Sequence, residues 1–516
     1  MKKFRFASLL FSFLLLFAIS VKAQRGSDPS PKQLYASAIS LPAFKDNPKG
    51  ESFCWNARTR TEGFIDYYKS TGNIAWLEAG FDYCDWLLSR MDSSPDGYKG
   101  WIGPSLYDNR YWTDVLVGDA ILFDGMLDYA ILVYEDRDLK ARYTSRVAPY
   151  IASAKRDFVE KYDKRGTWIE DGPYGGYIAS ANFLKEGNLS EWVYSPKSAG
   201  AGVSHPFNKQ MDAALVCLKL HRVTGESFYR ERAERIFFTG KSHFQFFDDH
   251  YCWNYYEPLY PGDVDLEKRD TRHGIWVHPW RSGYQAGEVS KIVEAYHYGI
   301  VFDEQDIRRI INTHLKVMWN GDKVNPKFIN SNGLGADGDT TGLAAFKRAY
   351  GHSNVVKNGG ELWTGLLDFD QTIRDLYALR FKGDTLSEGY LRFKKTVLAT
   401  PPGFERKYAK GKVTVPKLEF SECKELYAAV ALPHILRRGG ESILLCKSWN
   451  SGELAIDLYS PRGQKVASLF SGRMREGVFF IQWDGKHPQT KEQLKGNYVV
   501  RWTKEGGYRE FPIVIE

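Results

Sequence analysis

The stretch Arg269–Tyr296, RDTRHGIWVHPWRSGYQAGEVSKIVEAY, gathers the most chemically useful side chains of the sequence. Two histidines (His273, His278), three arginines, two tryptophans (Trp276, Trp280) and Tyr284 stand just ahead of an amphipathic helix. Uncharged aromatic planes suit the faces of sugar rings, and imidazole, guanidinium and phenol suit proton transfer beside a carboxylate. A loop entering a helix is a natural place to collect such groups, because the helix then holds them still. Taken singly, each aromatic serves equally well in a core and each arginine in a surface ion pair. The density of the whole set points to a site.

One chemistry to weigh for such types is β-elimination on a uronic-acid polymer. The proton next to the sugar carboxylate must be removed, and the carboxylate must be neutralised by donors or cations while charge develops. The base must titrate near its working pH, which for tyrosine requires neighbouring cations. Asn, His, Arg and Tyr fill these roles without a redox cofactor or a pair of carboxylates.

The elements that must position these groups follow from the rest of the chain. Lys2, Lys3 and Arg5, an apolar run from Phe6 to Ile19 and Val21-Lys22-Ala23 read as a secretory signal peptide over residues 1–23. No cysteine follows the cleavage point, so a secreted, periplasmic or cell-surface protein without a lipid anchor is expected. Nothing later approaches about 18 uninterrupted apolar residues, so no membrane span is expected. The remaining chain of about 490 residues exceeds one ordinary core. Six cysteines are widely spread without a CxxC pair, which argues against a disulfide scaffold or structural zinc site and leaves room for one bridge. The net charge of +7 falls partly in the leader and is otherwise scattered. It lacks the basic stripe of a nucleic-acid binder and suits an acidic polysaccharide or oligosaccharide.

From about residue 33 to 397 the apolar spacing is helical and falls into pairs. They are Asn56–Ser70 with Ile74–Arg90, Trp112–Glu135 with Tyr143–Tyr162, Asn208–Val223 with Phe228–Phe247, Tyr284–Gly299 with Glu304–Trp319, and Leu362–Phe381 with Ser387–Val397. Two turns are near-copies, Ser70-Thr71-Gly72-Asn73 and Val223-Thr224-Gly225-Glu226. Such a hairpin repeat with long aromatic loops predicts a mainly α fold, an (α/α)5-6 toroid over 33–437; an open helical solenoid is the alternative. A Pro/Gly/Lys-rich stretch near Thr400–Pro416 marks a boundary, and Glu422–Leu436 reads as a further helix. After Gly439-Gly440 the period becomes two, predicting a small antiparallel β-sandwich over 440–516.

That last unit, with Gly477-Val-Phe-Phe-Ile-Gln-Trp483-Asp484-Gly485-Lys486 and Leu494-Lys-Gly496-Asn-Tyr498, resembles the FlgD-like immunoglobulin-fold module of secreted bacterial proteins. The resemblance implies a spacer, sorting or docking module without chemistry of its own, dispensable for turnover. The larger part resembles the toroidal polysaccharide lyases of alginate, chondroitin, hyaluronan or glucuronan. The likeness rests on Asn208 within His205-Pro206-Phe207-Asn208-Lys209-Gln210, on Asp270-Thr271-Arg272-His273 and on Gly283-Tyr284. The His-to-Tyr gap is longer, and the β part smaller, than in that group. The resemblance implies that Asn208 and Arg281 neutralise the carboxylate. It also implies that His273 assists or is the base at one epimer, and that Tyr284 protonates the leaving oxygen or is the base at the other. The competing structural roles are a helix cap for Asn208, an exposed loop position for His273, an ion pair for Arg281 and inward packing for Tyr284.

Trp253, Tyr255 and Tyr256 in the loop Asp248–Gly262, with Trp101, Trp112, Trp276 and Trp280, are candidate sugar-stacking positions. A rival glycoside hydrolase on the same toroid, faintly like unsaturated glucuronyl hydrolases, would need two carboxylates at a set separation. Its candidates are Asp119, Asp124, Asp248, Asp249, Glu257 and Glu361. No cofactor or catalytic metal is expected. Asp263, Asp265, Asp270 and His273 could hold a structural Ca²⁺ or Zn²⁺, but their spacing matches neither an EF-hand nor HExxH. A non-catalytic glycan-binding surface protein would need only aromatics in a row, whereas an enzyme must bring Asn208, His273, Arg281 and Tyr284 together.

Overall fold

The structure is a computed structural model of the 516-residue chain. It describes residues 29–104, 111–179, 182–185, 188–194, 202–276, 278, 283–324, 326–328, 353–354, 362–381, 383–385, 388–411, 413–416, 418, 420–423, 427–505 and 507–516. The residues of the expected leader, 1–23, lie outside this set.

The N-terminal part is helical. After α1 (Pro31–Ile39) come α2 (Gly50–Thr71), α3 (Ile74–Ser89), α4 (Leu116–Glu135), α5 (Arg137–Ala154), α6 (Phe207–Thr224), α7 (Ser227–Ser242), α8 (Tyr284–Tyr298) and α9 (Glu304–Asn312). Two shorter helices, α10 (Gln371–Ala378) and α11 (Glu388–Thr396), follow. The repeated turns have the same ending. Gly72 and Gly225 take the left-handed conformation at φ 70° and 77°, and each donates its N–H back to the last turn, to Tyr68 O and His221 O. Asn73 then caps α3 by accepting from Ala75 N at 3.1 Å.

Every second helix lies beside the next but one, in parallel. Tyr129 of α4 donates to Thr61 O of α2 at 2.6 Å, and Gly118 at the start of α4 faces Cys54 at the start of α2. Lys219 of α6 bridges Asp124 and Asp128 of α4, both at 2.7 Å, while Arg222 pairs Glu135 one turn on. Lys291 of α8 pairs Asp212 of α6 at 2.8 Å. The intervening helices run back on one side, as Tyr150 of α5 bonded to Asp85 of α3 at 2.6 Å shows. Arg392 of α11 lies over Tyr67 of α2, so the end of the helical part meets its beginning.

Short strands interrupt this pattern where continuous helix or irregular loop was expected. Trp112 lies in the strand Tyr111–Thr113, so α4 starts at Leu116 instead of at Trp112. The helix expected to run to Phe247 stops at Ser242. Gln245–Phe247 pairs with His250–Cys252 across the two-residue turn Asp248-Asp249, where Asp248 adopts φ 53°. The hairpin Val264–Asp265 with Asp270–Thr271 follows. Helix α9 packs on α7 through the buried pair Lys241–Asp306, at 2.6 Å.

The C-terminal region is β-rich: β1 (Tyr427–Leu432), β2 (Ile435–Leu436), β3 (Ser442–Ser448), β4 (Gly452–Tyr459), β5 (Lys465–Met474), β6 (Gly477–Trp483), β7 (Gly496–Lys504) and β8 (Gly507–Ile515). One sheet has the order β1-β3-β6, the other β2-β8-β7-β4-β5, antiparallel except for β2 beside β8. Inward residues alternate along β4 (Leu454, Ile456, Leu458) and β8 (Arg509, Phe511, Ile513, Ile515). The expected helix Glu422–Leu436 is therefore strand from Tyr427, and the β unit begins ahead of residue 440. Tyr427–Leu432 is buried at every position, and a short apolar run buried on both faces carries no period to separate it from a buried helix.

The β unit is also no loosely tethered spacer. Asp171 accepts from the N–H groups of His434 and Ile435, Gln245 Oε1 accepts from Tyr427 N at 3.2 Å, and His434 stacks on Tyr174 at 3.8 Å.

A buried ionic cluster sets the start of α4. Lys161 Nζ, fully buried, lies 2.8 Å from Asp114 Oδ2 and 2.5 Å from Asp119 Oδ2, and donates to Lys99 O at 2.9 Å. Removing the cation leaves two buried carboxylates short of a partner. Lys161→Met is expected to destabilise the fold by about 3–5 kcal/mol. A thermal melt checks this, and an unchanged midpoint would contradict it.

Candidate functional site

The parallel helices α2, α4, α6 and α8 all begin at one end, where Glu51, Asp119, Asn208 and Tyr284 occupy their first turns. Each unpaired N-terminal turn carries partial positive charge, which favours anions there. Across that end runs the strip Trp253-Asn254-Tyr255-Tyr256. Its backbone is satisfied from both sides, as a buried strip requires. Tyr255 O accepts from Phe207 N at 3.3 Å, the N–H groups of Tyr255 and Tyr256 donate to Trp276 O at 2.8 and 3.2 Å, and Trp276 N donates to Tyr256 O at 3.1 Å.

Of the four expected catalytic residues, Tyr284 and His273 each pack against this strip, and Asn208 adjoins it through its neighbour Phe207. Tyr284, the first residue of α8, stacks on Tyr255 with ring centroids 5.1 Å apart and planes 16° off parallel. His273 stands edge-on to Tyr256 at 5.1 Å and tilts over Trp276 at 4.5 Å. Asn208 follows Phe207 directly. It is 3% exposed, and its Oδ1 meets no hydrogen-bond donor. The N-cap of α6 is Pro206, so Asn208 does not cap that helix. Its main-chain oxygen accepts from Lys291 Nζ at 3.1 Å. Arg281 and Trp280 lie outside the described residues.

Two residues next to Asn208 in sequence belong to the same group. His205 is held down to about 3 by burial and by the charges of Lys209 and His273; burial and Lys209 also lower His273 from the ordinary imidazole value. Lys209 thus stands near both rings, with its ammonium 3.5 Å from Glu51 Oε1. Both imidazoles are neutral at pH 7, the form a proton acceptor needs. One turn into α8, Glu288 Oε2 accepts from Trp253 Nε1 at 2.7 Å and lies 2.9 Å from His278 Nε2, all fully buried. Gln285 is 1% exposed with both amide atoms unpartnered. His205, Lys209 and Gln285 had a signal in the sequence: they share the first helical turn, or its approach, with Asn208 and Tyr284.

The expected stacking residues divide. Trp101 is 3% exposed, donates its indole N–H to Leu87 O at 2.9 Å and packs edge-on to Phe123, so it serves the core. Trp253, Tyr255 and Tyr256 are equally buried and act as the wall behind His273 and Tyr284, leaving no open face for a sugar. Trp276, 44% exposed, and the half-buried Trp112, with Lys49 over its ring, keep accessible faces.

The carboxylates proposed for hydrolysis are mostly engaged elsewhere. Asp119 is locked to Lys161 and Tyr162, Asp124 to Lys219, and Asp249 to Lys316. Glu257 lies 2.8 Å from His243 Nδ1 and accepts from Asn254 Nδ2 at 2.7 Å. Asp248 is exposed at its turn, and Glu361 lies outside the described residues. Of the residues considered for a cation, Asp263 accepts from Ser204, Leu259 and Tyr260, and Asp265 pairs with Lys268. Among the described residues no group of three or more His, Cys, Asp and Glu is placed to hold a metal ion, and no helix is long and apolar enough to cross a membrane. No protein-family model matches the chain, and no curated protein matches it.

The lowered imidazoles fix a sign. A folded-state pKa below the unfolded value means that the unfolded chain binds more protons as pH falls, so stability drops on acidification below about 6.5. His314, whose Nε2 accepts from Trp363 N at 3.2 Å, and buried His434 are likewise held at about 3. Proton NMR of the imidazole C–H groups should therefore show His205, His314 and His434 still neutral at pH 5. The melting temperature should fall from pH 6.5 downward. A His205 signal titrating near 6.5 would contradict the environment described.

Proposed function

We propose that the chain is an extracytoplasmic polysaccharide lyase that cleaves a uronic-acid-containing polymer by β-elimination, built on an α/α toroid. The parallel series α2, α4, α6 and α8, the helices returning on one side and the contact of α11 with α2 support the toroid. The observation that carries the activity is the gathering of Asn208, His273 and Tyr284 around Tyr255-Tyr256, beside Lys209.

In this reading the sugar carboxylate is met by the amide N–H of Asn208, by the ammonium of Lys209 and by the partial charges of the helix starts. Neutral His273 takes the proton from the carbon next to the carboxylate. The electron pair forms the ring double bond, the glycosidic C–O bond breaks, and the leaving oxygen takes a proton from Tyr284. Trp276 offers a face to a neighbouring sugar ring. The engaged state of Asp119, Asp124, Asp249 and Glu257 favours elimination over hydrolysis.

Tyr284→Phe keeps the ring that stacks on Tyr255 and removes only the phenolic oxygen. With a uronic-acid polymer cleaved by the native chain, the initial rate followed by ultraviolet absorbance of the unsaturated product should fall by about 10²–10⁴. The thermal midpoint should stay in place. Near-native turnover would remove Tyr284 from the mechanism. New reducing ends without ultraviolet absorbance would transfer the case to a hydrolase, and binding without turnover to a glycan-binding protein.

A further inference from the structure

The residues that shape the candidate site are gripped by the β unit from two directions. The first runs through the segment carrying His273 and Trp276. Val264 and Ile275, at its two ends, are buried in the core of the C-terminal sheets. Between them, Arg269 donates to Phe480 O of β6 at 3.1 Å and lays its guanidinium over the Phe480 ring at 4.7 Å. Lys447 of β3 donates to Ile275 O at 3.5 Å.

The second grip is Arg509. It occupies an inward position of β8, in alternation with Phe511, Ile513 and Ile515, where an apolar residue would be the ordinary choice. It is 5% exposed, donates to Tyr427 O at 3.2 Å and Ser242 O at 3.5 Å, and holds its guanidinium 3.5 Å from Glu257 Oε2. Glu257 in turn fixes Asn254 at 2.7 Å. Asn254 and Glu257 bracket Tyr255-Tyr256, the dipeptide on which Tyr284 and His273 rest. A buried guanidinium is costly unless it is matched in place, so its position is tightly determined.

We infer that the C-terminal β unit is a positioning element of the site, acting through Arg509 on the Asn254–Glu257 strip and through Arg269 and Phe480 on the His273 segment. This inference rests on the reading of His273 and Tyr284 as the proton-transfer pair. It replaces the expectation of a spacer dispensable for turnover.

Full-length Arg269→Ala tests it mildly, since Arg269 is exposed and its loss leaves both cores intact. Hydrogen exchange should quicken over residues 264–276 and stay unchanged over α3 and α4, with the thermal midpoint nearly kept. kcat should fall by roughly 10- to 100-fold with KM little changed, as for a displaced catalytic group. The acid limb of kcat/KM should move to higher pH, because a looser segment frees His273 from the burial and the nearby Lys209 that lower it. Arg509→Lys, which keeps the charge, should be less impaired than Arg509→Met in exchange over residues 253–257 and in turnover. Unchanged exchange over these segments in Arg269→Ala and Arg509→Met would overturn the inference. Exchange is read without substrate, so it decides the positioning role even if no uronic-acid polymer is cleaved.

Discussion

Burial of the Glu257 carboxylate is the constraint on which the arrangement of the molecule turns. Burial by itself would drive such a group toward its neutral form; Arg509 and His243 reverse that and hold it below the usual carboxylate range. The three partners come from different places: His243 follows α7, Asn254 lies in the strip at the helix starts and Arg509 stands in β8. Removing Arg509 leaves a buried carboxylate short of its cation. The helical part, the strip and the β unit are therefore tied electrostatically at this point, alongside the contacts of Asp171, Gln245 and Tyr174 with the β unit and the burial of Val264 and Ile275 in its core.

Around that fixed point the helices contribute a field as well as a scaffold. With α2, α4, α6 and α8 parallel, their starts superpose at one end, and the carboxylates there are offset by lysines: Glu51 by Lys209, Asp119 by Lys161, Asp212 by Lys291. The imidazoles of His205 and His273 share the same surroundings and are kept neutral by them.

Much of this was legible in the sequence. The helical spacing and the glycine turns at Gly72 and Gly225 placed the turns of the first and third hairpins closely, because long amphipathic helices with αL endings leave strong periodic marks; the second hairpin, without such a turn, begins its return helix at Arg137 and not at Tyr143. Asn208 and Tyr284 stood out by their place at helix entries and by the resemblance quoted for them, and His273 by the density of chemistry-bearing types around it. What stayed hidden was hidden for physical reasons. The run Tyr427–Leu432 is buried on both faces and so lacks any period. Trp101 and Trp253 look the same in sequence whether they face a sugar or a core. The strand Gln245–Phe247 continues an apolar helix without a break other than the Asp-Asp turn. The roles of Arg509 and Arg269 depend on partners more than two hundred residues away, which no local pattern can announce.

That separation has a consequence for how the molecule comes to exist. Contacts such as Arg269 with Phe480 and Arg509 with Ser242 close loops of 211 and 267 residues. The helical pairs are stitched by neighbours and can form early, whereas long-range closures are slow to find. A chain emerging from its N-terminus would thus acquire its helices well before the strip and the His273 segment find their seats. Docking of β8 would be among the last events of folding. An incompletely assembled chain would be largely helical by any spectroscopic measure and still lack the seats of the strip and of the His273 segment.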